Sequence, residues 1–101
     1  MITISLCMIV KNEERILARC LDSVKDLVDE IVIVDTGSAD ATKRIAAEYT
    51  DKIYDFAWID DFSAARNFAF SKASKEYIYS ADADEVLSEE NRQRFRQLKA
   101  T

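Results

Sequence analysis

The sequence predicts an α/β fold in three layers, an open and mostly parallel sheet with helices on both faces. Three observations predict it. The run from Ile2 to Val10 is almost entirely β-branched or aliphatic, the pattern of a strand buried on both faces rather than of a hairpin strand with one wet side. Ile16, Leu17, Cys20, Leu21, Val24 and Leu27 recur at spacings of three and four, the stripe of a helix lying on such a sheet. Strand-like and helix-like patterns then alternate to the end with no linker, repeat or low-complexity tract between them, as crossover connections require.

Taken in order, Ile2 to Val10 is the first strand and Glu14 to Asp26 the first helix. Ile31 to Asp35 is the second strand, followed by a tight turn at Thr36-Gly37-Ser38 that holds the single glycine. Ser38 or Asp40 can cap a second helix carrying Ala41, Ile45, Ala46 and Tyr49. Ile53 to Phe56 is a short third strand, and the connection Trp58 to Asp61 leads to a third helix over Phe62 to Ala73. Tyr77 to Ser80 is the fourth strand. Ser88 caps a last, strongly charged helix with Phe95 and Leu98 as its large apolar residues, and the sequence stops inside it.

Bulk composition narrows the function classes. With 101 residues, 49 % of them hydrophobic, the chain makes one core, burying roughly two-thirds of the surface of its unfolded form. Its 14 basic and 19 acidic side chains give a net charge of −5, the wrong sign for a broad nucleic-acid or anionic-lipid surface, so a phosphate ligand needs local help. No leader and no run long and apolar enough to span a membrane is present, which predicts a cytoplasmic protein without a transmembrane segment. Cys7 and Cys20 fall in apolar patterns with no histidine in the chain to complete a zinc site, and read as buried structural thiols.

In an open parallel sheet, ligands bind beyond the carboxyl ends of the strands. Lys11-Asn12-Glu13, Asp35-Thr36 and Asp82-Ala83-Asp84-Glu85 all emerge there. Two carboxylates on one short turn, Asp82 and Asp84, can ligate a hard divalent cation whose remaining ligands are diphosphate oxygens and water; turn formation or capping is the competing reading. Asp35 is placed to accept hydrogen bonds from a ribose or base, or simply to cap its own turn. Arg66 can reach a phosphate or base, or remain a solvated surface group. Neither the Gly-x-Gly-x-x-Gly nor the Gly-x-x-x-x-Gly-Lys phosphate cradle is present, and without histidine any catalytic base is a carboxylate or is missing.

Four segments, Cys-Met-Ile-Val-Lys-Asn-Glu-Glu at 7–14, Val-Asp-Thr-Gly-Ser at 34–38, Phe-Ser-Ala-Ala-Arg-Asn at 62–67 and Asp-Ala-Asp-Glu at 82–85, together resemble the family 2 glycosyltransferases of the GT-A fold. Order and spacing carry the likeness over nearly the whole chain. It implies that residues 1–101 are the Rossmann-like, nucleotide-sugar-binding half of a transferase domain, cut before the acceptor-binding half. It further implies a nucleotide-diphosphate-sugar donor, most often a UDP-sugar, with Mg2+ or Mn2+, and transfer to an acceptor hydroxyl. By position, Ile9, Lys11 and Glu13 fall beside the nucleoside, Asp35 and Thr36 beside the base or ribose, and Arg66 near base or phosphates. Asp82 and Asp84 match the Asp-x-Asp metal motif, with Asp82 also facing the nucleotide and Asp84 the direct ligand. Lys11 stands where many members carry an aromatic residue, and Thr36 where many carry a second aspartate. The family's catalytic carboxylate falls beyond residue 101, so no residue here is assigned as catalytic base.

Two other classes compete. A receiver-like signalling domain is also a parallel sheet of this size, but needs paired acids directly after the first strand and a lysine after a fifth. A non-catalytic binding or assembly module is the other, with an unpaired sheet edge recruiting a second copy into a homo-oligomer.

Overall fold

A computed structural model describes residues 2–58 and 60–100; Met1, Ile59 within the 58–61 connection, and Thr101 lie outside the described residues. The elements are β1 (Ile4–Val10), α1 (Leu17–Val24), β2 (Glu30–Asp35), α2 (Thr42–Ala46), β3 (Ile53–Asp55), α3 (Phe62–Lys72), β4 (Tyr77–Ser80) and α4 (Glu89–Lys99). The strands form one four-stranded sheet in the order β3-β2-β1-β4, and every pairing is parallel. The predicted three-layer α/β architecture is therefore the observed one. The receiver-type order 2-1-3-4-5 is not, because β1 is flanked by β2 and β4.

Alternation along the two central strands sorts the core into two faces. Leu6, Met8 and Val10 of β1 with Ile31 and Ile33 of β2 pack under α1 and α2, against Leu17, Cys20, Leu21, Val24 and Ala46. Cys7, Val32 and Val34 face the other way and meet Ala69 of α3, with Ile9, Tyr54, Phe56 and Phe68 completing that layer. Small residues Ala65 and Ala69 form the buried side of α3, so its backbone comes close to the sheet. Both cysteines are buried free thiols, as expected. The outer strand β4 exposes Tyr77 and Ile78.

Three helices differ from their sequence patterns at an end. The first begins at Leu17 rather than Glu14, because Glu14 bonds a neighbouring loop: its amide donates to Asp40 Oδ2 and its Oε2 accepts from the Ala41 amide. The second ends at Ala46 and leaves residues 47–49 in tight turns, with the Tyr49 amide donating to the Ala46 carbonyl. Its first turn is served by Asp40, whose Oδ1 accepts from the Thr42 amide at 2.9 Å, and not by Ser38. The fourth closes at Lys99, with Ser88 Oγ accepting from the Asn91 amide at its start as the sequence indicates.

Candidate functional site

The order β3-β2-β1-β4 puts a topological switch point between β1 and β4: the chain leaves β1 toward β2 and returns across the sheet to β4 on the other side. Loops diverge above such a point, and the carboxyl ends of the strands face a crevice. Val10 lies in register with Asp35, and β4 runs level with β1 only as far as Cys7–Ser80. Ala81 and Ala83 then continue upward into the core beside Met8 and Val10, which leaves Asp82 and Asp84 exposed on the rim.

Part of that rim is tightly fixed. Asn12, at φ 54, donates its amide to Ser38 Oγ and accepts at Oδ1 from the Ala39 amide (2.7 Å). The Glu13 amide donates to Thr42 Oγ1 at 2.8 Å, and Glu14 adds its two bonds to residues 40 and 41. The loop after β1 is thus laced to the loop after β2. Asp35 anchors the second of these: Oδ1 accepts from the amides of Gly37 and Ser38, both at 2.8 Å, which is the turn-capping role. Gly37 needs to be glycine, its φ of +111 being one that side chains rarely allow. Asp35 is 2 % exposed, and its second oxygen, Oδ2, is the one buried side-chain polar atom among the described residues with no hydrogen-bond partner. A buried carboxylate oxygen left bare is costly unless something external serves it. Lys43 has electrostatic reach to Asp35: it is held to Asp55 at 2.8 Å and shifted upward in pKa by that hydrogen bond, by the charge of Asp55 and by that of Asp35.

The Asp82-Ala83-Asp84 turn is held from beneath by α1. Cys20 Sγ donates to the Asp82 carbonyl at 3.7 Å, the Leu87 amide donates to Ser23 Oγ, and Arg92 reaches the Ser23 carbonyl and Asp26. Within the turn, the Asp82 amide donates to Glu85 Oε1 and the Glu85 amide to the Asp82 carbonyl. The Asp82 amide and carbonyl and the Glu85 amide are therefore paired, whereas the carboxylates of Asp82 and Asp84 make no hydrogen bond or ion pair among the described residues. Their charge is felt below: burial first, then Glu85, Asp84 and Asp82, push the Cys20 thiol up to about 11.

Ile9, Glu13, Ile16, Asp82, Ala83 and Asp84 enclose one cleft of about 340 Å3. Ile9 and Glu13 also line a second, of about 260 Å3, with Val10, Lys11, Thr36, Trp58 and Phe62. Thr36 in turn borders a third, with Asp35, Gly37, Asp55 and Phe56. Ile9, Lys11, Glu13, Asp35, Thr36, Asp82 and Asp84 thus lie along one continuous edge. Thr36 turns its hydroxyl inward to the Val10 carbonyl (3.3 Å). Arg66 lines none of the three clefts; its guanidinium sits 4.8 Å from the centre of the Phe62 ring. Trp58 and Phe62 are not legible as site residues in the sequence, because an aromatic residue in a loop or first helical turn reads as core filler until its exposure is known. No group of three or more His, Cys, Asp or Glu side chains able to hold a metal occurs among the described residues. Another cleft of about 340 Å3, at the opposite end of the sheet, is lined by Glu30, Lys52 and other groups already bonded to one another.

Residues 5–97 match the sequence pattern of Glycosyl transferase family 2. The chain is 53 % identical over 87 residues to a TPR repeat-containing protein of Synechococcus elongatus, covering 86 % of this chain and 22 % of that protein. It is 41 % identical over 92 residues to the SPbeta prophage-derived glycosyltransferase SunS of Bacillus subtilis, covering 89 % and 22 % respectively. It spans less than a third of the length of the curated relatives it matches. In fold it is similar to Mycobacterium tuberculosis glucosyl-3-phosphoglycerate synthase, solved in complex with Mn2+ and uridine-diphosphate-glucose, with a TM-score of 0.71 at 23 % identity over 84 % of this chain and 34 % of that one. No helix among the described residues is long and apolar enough to cross a membrane.

Proposed function

Since the chain belongs to glycosyl transferase family 2, we propose that its carboxyl edge binds a nucleotide-diphosphate-sugar, a UDP-sugar foremost, for transfer of the sugar to an acceptor hydroxyl. The observation that carries this reading is that the exposed, unpartnered Asp82 and Asp84 share a cleft with Ile9 and Glu13 at the switch point between β1 and β4. An acidic protein needs a counter-charge to hold a diphosphate, and two hard oxygen donors with no internal partner fit Mg2+ or Mn2+, whose other ligands would be phosphate oxygens and water. A cation held by Asp82 and Asp84, with Asp84 as the direct ligand, would stabilise the charge that develops on the leaving diphosphate. The nucleotide-bound and Mn2+-bound state of the M. tuberculosis structure supports the same donor class here.

The chain's own groups divide the remaining work. The hydrogen bonds between the loops after β1 and β2 hold the backbone at Asn12 and Glu13, next to Lys11, in place without the ligand, so less of the loop has to be ordered on binding. Asp35 Oδ2 lacks a donor that a base or ribose can supply. Thr36 shapes the floor between Asp35 and Lys11, and Arg66 adds positive charge beside Phe62. The catalytic base and the acceptor surface fall to sequence outside residues 1–101, and the two reduced cysteines fit a cytoplasmic setting.

Calorimetric titration with UDP and other nucleoside diphosphates, with and without Mn2+, tests this. Cation-dependent binding is expected, and Asp84→Asn weakens it by about 1–3 kcal/mol, the scale of losing one charged partner. Affinity unchanged by the substitution would remove the metal assignment, and no binding of any nucleoside diphosphate would remove the donor site.

A further inference from the structure

Two of the three clefts along the donor edge are of opposite chemistry, and they join at Ile9 and Glu13. One is rimmed by carboxylates. The other is walled by Ile9, Val10 and two large aromatic residues, Trp58 and Phe62, which are 44 % and 45 % exposed. Tryptophan is normally among the more buried residues, and leaving that much of an indole in water forgoes burial the fold could have used. The indole is nonetheless fixed. Its Nε1–H donates to Asp60 Oδ1 at 2.9 Å, so its polar atom is already served and its carbon surface is what remains unpartnered. Asp60 holds a left-handed backbone, φ 57, to make that contact. Asn12 is the other non-glycine residue with positive φ among the described residues, and it lies in the loop beside Lys11 on the same cleft. Such conformations persist where the surrounding structure fixes them, and they cluster at ligand-binding loops. Phe62 is backed by the Arg66 guanidinium.

A nucleotide-sugar also has two ends of opposite chemistry: an anionic diphosphate and a planar heterocycle. At about 260 Å3 the aromatic cleft is smaller than a site for a whole drug-sized ligand, roughly 300–1,000 Å3. We propose that Trp58, with Phe62 beside it, is the stacking platform for the donor's nucleobase, and that Asp60 positions the indole for it. This rests on the donor-binding reading above. Stacking on an indole serves any base, so Trp58 supplies affinity and leaves the choice of base to polar groups such as Asp35.

Trp58 is the only tryptophan in the chain, so its emission reports on this site directly. With Mg2+ present, UDP is expected to quench that emission saturably, whereas inorganic pyrophosphate and ribose 5-diphosphate, which carry no base, leave it unchanged. By calorimetry, Trp58→Leu weakens UDP binding by roughly ten- to a hundred-fold, Trp58→Phe retains most of it, and pyrophosphate affinity stays within about two-fold in both. Trp58→Leu that binds UDP like the parent chain overturns the stacking assignment and leaves the donor site standing. Equal loss of UDP and pyrophosphate affinity makes Trp58 a structural residue and also overturns it. A parent chain that binds neither UDP nor pyrophosphate overturns the donor reading and this inference together.

Discussion

The two ends of the sheet carry similar residues in opposite states. At the amino end, Glu30 opens β2 with its carboxylate buried, and every oxygen is served: Oε1 accepts from Ser5 Oγ (2.6 Å) and the Ser74 amide (2.8 Å), and Oε2 from Ser74 Oγ (2.7 Å) and the Lys52 ammonium. Asp29 beside it accepts from the Ile4 amide and from Lys99. These bonds tie β1, β2 and the approach to β4 together and reach α4. At the carboxyl end, Asp35 keeps one buried oxygen bare, and Asp82 and Asp84 hold out carboxylates with no partner among the described residues. A carboxylate whose valences are satisfied within the fold contributes stability. One left open adds no such stability: Asp82 and Asp84 are hydrated at the rim, and the buried Oδ2 of Asp35 carries a desolvation cost that no bond offsets.

The largest effect is expected at Glu30. Glu30→Ala removes the shared acceptor and leaves the Ser5 hydroxyl, the Ser74 amide and the Lys52 ammonium facing a hole, so we expect a loss of about 3 kcal/mol in urea or thermal unfolding. Its pKa gives the contribution a pH signature. Burial alone would raise it, but the bonds from Lys52, Ser5 and Ser74 outweigh that and lower it from 4.5 to about 2. Between those values the unfolded chain binds the proton and the folded chain does not. The contribution is therefore complete above about pH 4.5 and is lost as pH falls toward 2. Glu30→Gln should flatten that limb of the stability profile; a profile identical to that of the parent chain would mean that Glu30 is not the group holding the amino end.

The sequence makes one end far more legible than the other. Long-period patterns place every strand and helix, and the strand-end rule brings Lys11, Asp35, Asp82 and Asp84 to one edge, because short loops leave the chain no alternative. Glu30 is invisible in this way: a charge before an apolar run reads as the residue ahead of the strand, and its partners Ser5 and Ser74 are 25 and 44 positions distant. Trp58 and Phe62 escape notice for the converse reason, since nothing local tells an aromatic residue left in solvent from one in a core. The early end of α2 and the late start of α1 likewise depend on bonds between loops, which no local propensity encodes.

Asp35 combines both states in one side chain, with Oδ1 bonded within the fold and Oδ2 bare. Asp35→Asn keeps an acceptor for Gly37 and Ser38 and replaces the bare oxygen with a neutral group equally without a partner, so stability should change by less than about 1 kcal/mol. Binding of a nucleoside diphosphate should fall by about 1–2 kcal/mol, since a donor aimed at Oδ2 then meets an amide that cannot accept. Parallel calorimetry and chemical denaturation read both quantities. A drop in stability with unchanged binding would assign Asp35 wholly to the turn.

The smallest effect is the most direct test of what an open carboxylate means. In the double variant Asp82→Ala and Asp84→Ala, the Cys20 thiol still has the residue 82 carbonyl and the Glu85 amide still closes the turn, since both contacts are to main chain. What disappears is two like charges beside Glu85 that hold up the Cys20 pKa together with burial. Stability should then stay within about 0.5 kcal/mol of the parent chain, or rise slightly as repulsion is relieved, while cation-dependent nucleotide binding is abolished. The Cys20 pKa should move down from about 11, which thiol reactivity measured against pH detects. A destabilisation above about 1 kcal/mol would show that these carboxylates are structural after all, and the contrast between the two ends of the sheet would then reduce to the single bare oxygen of Asp35.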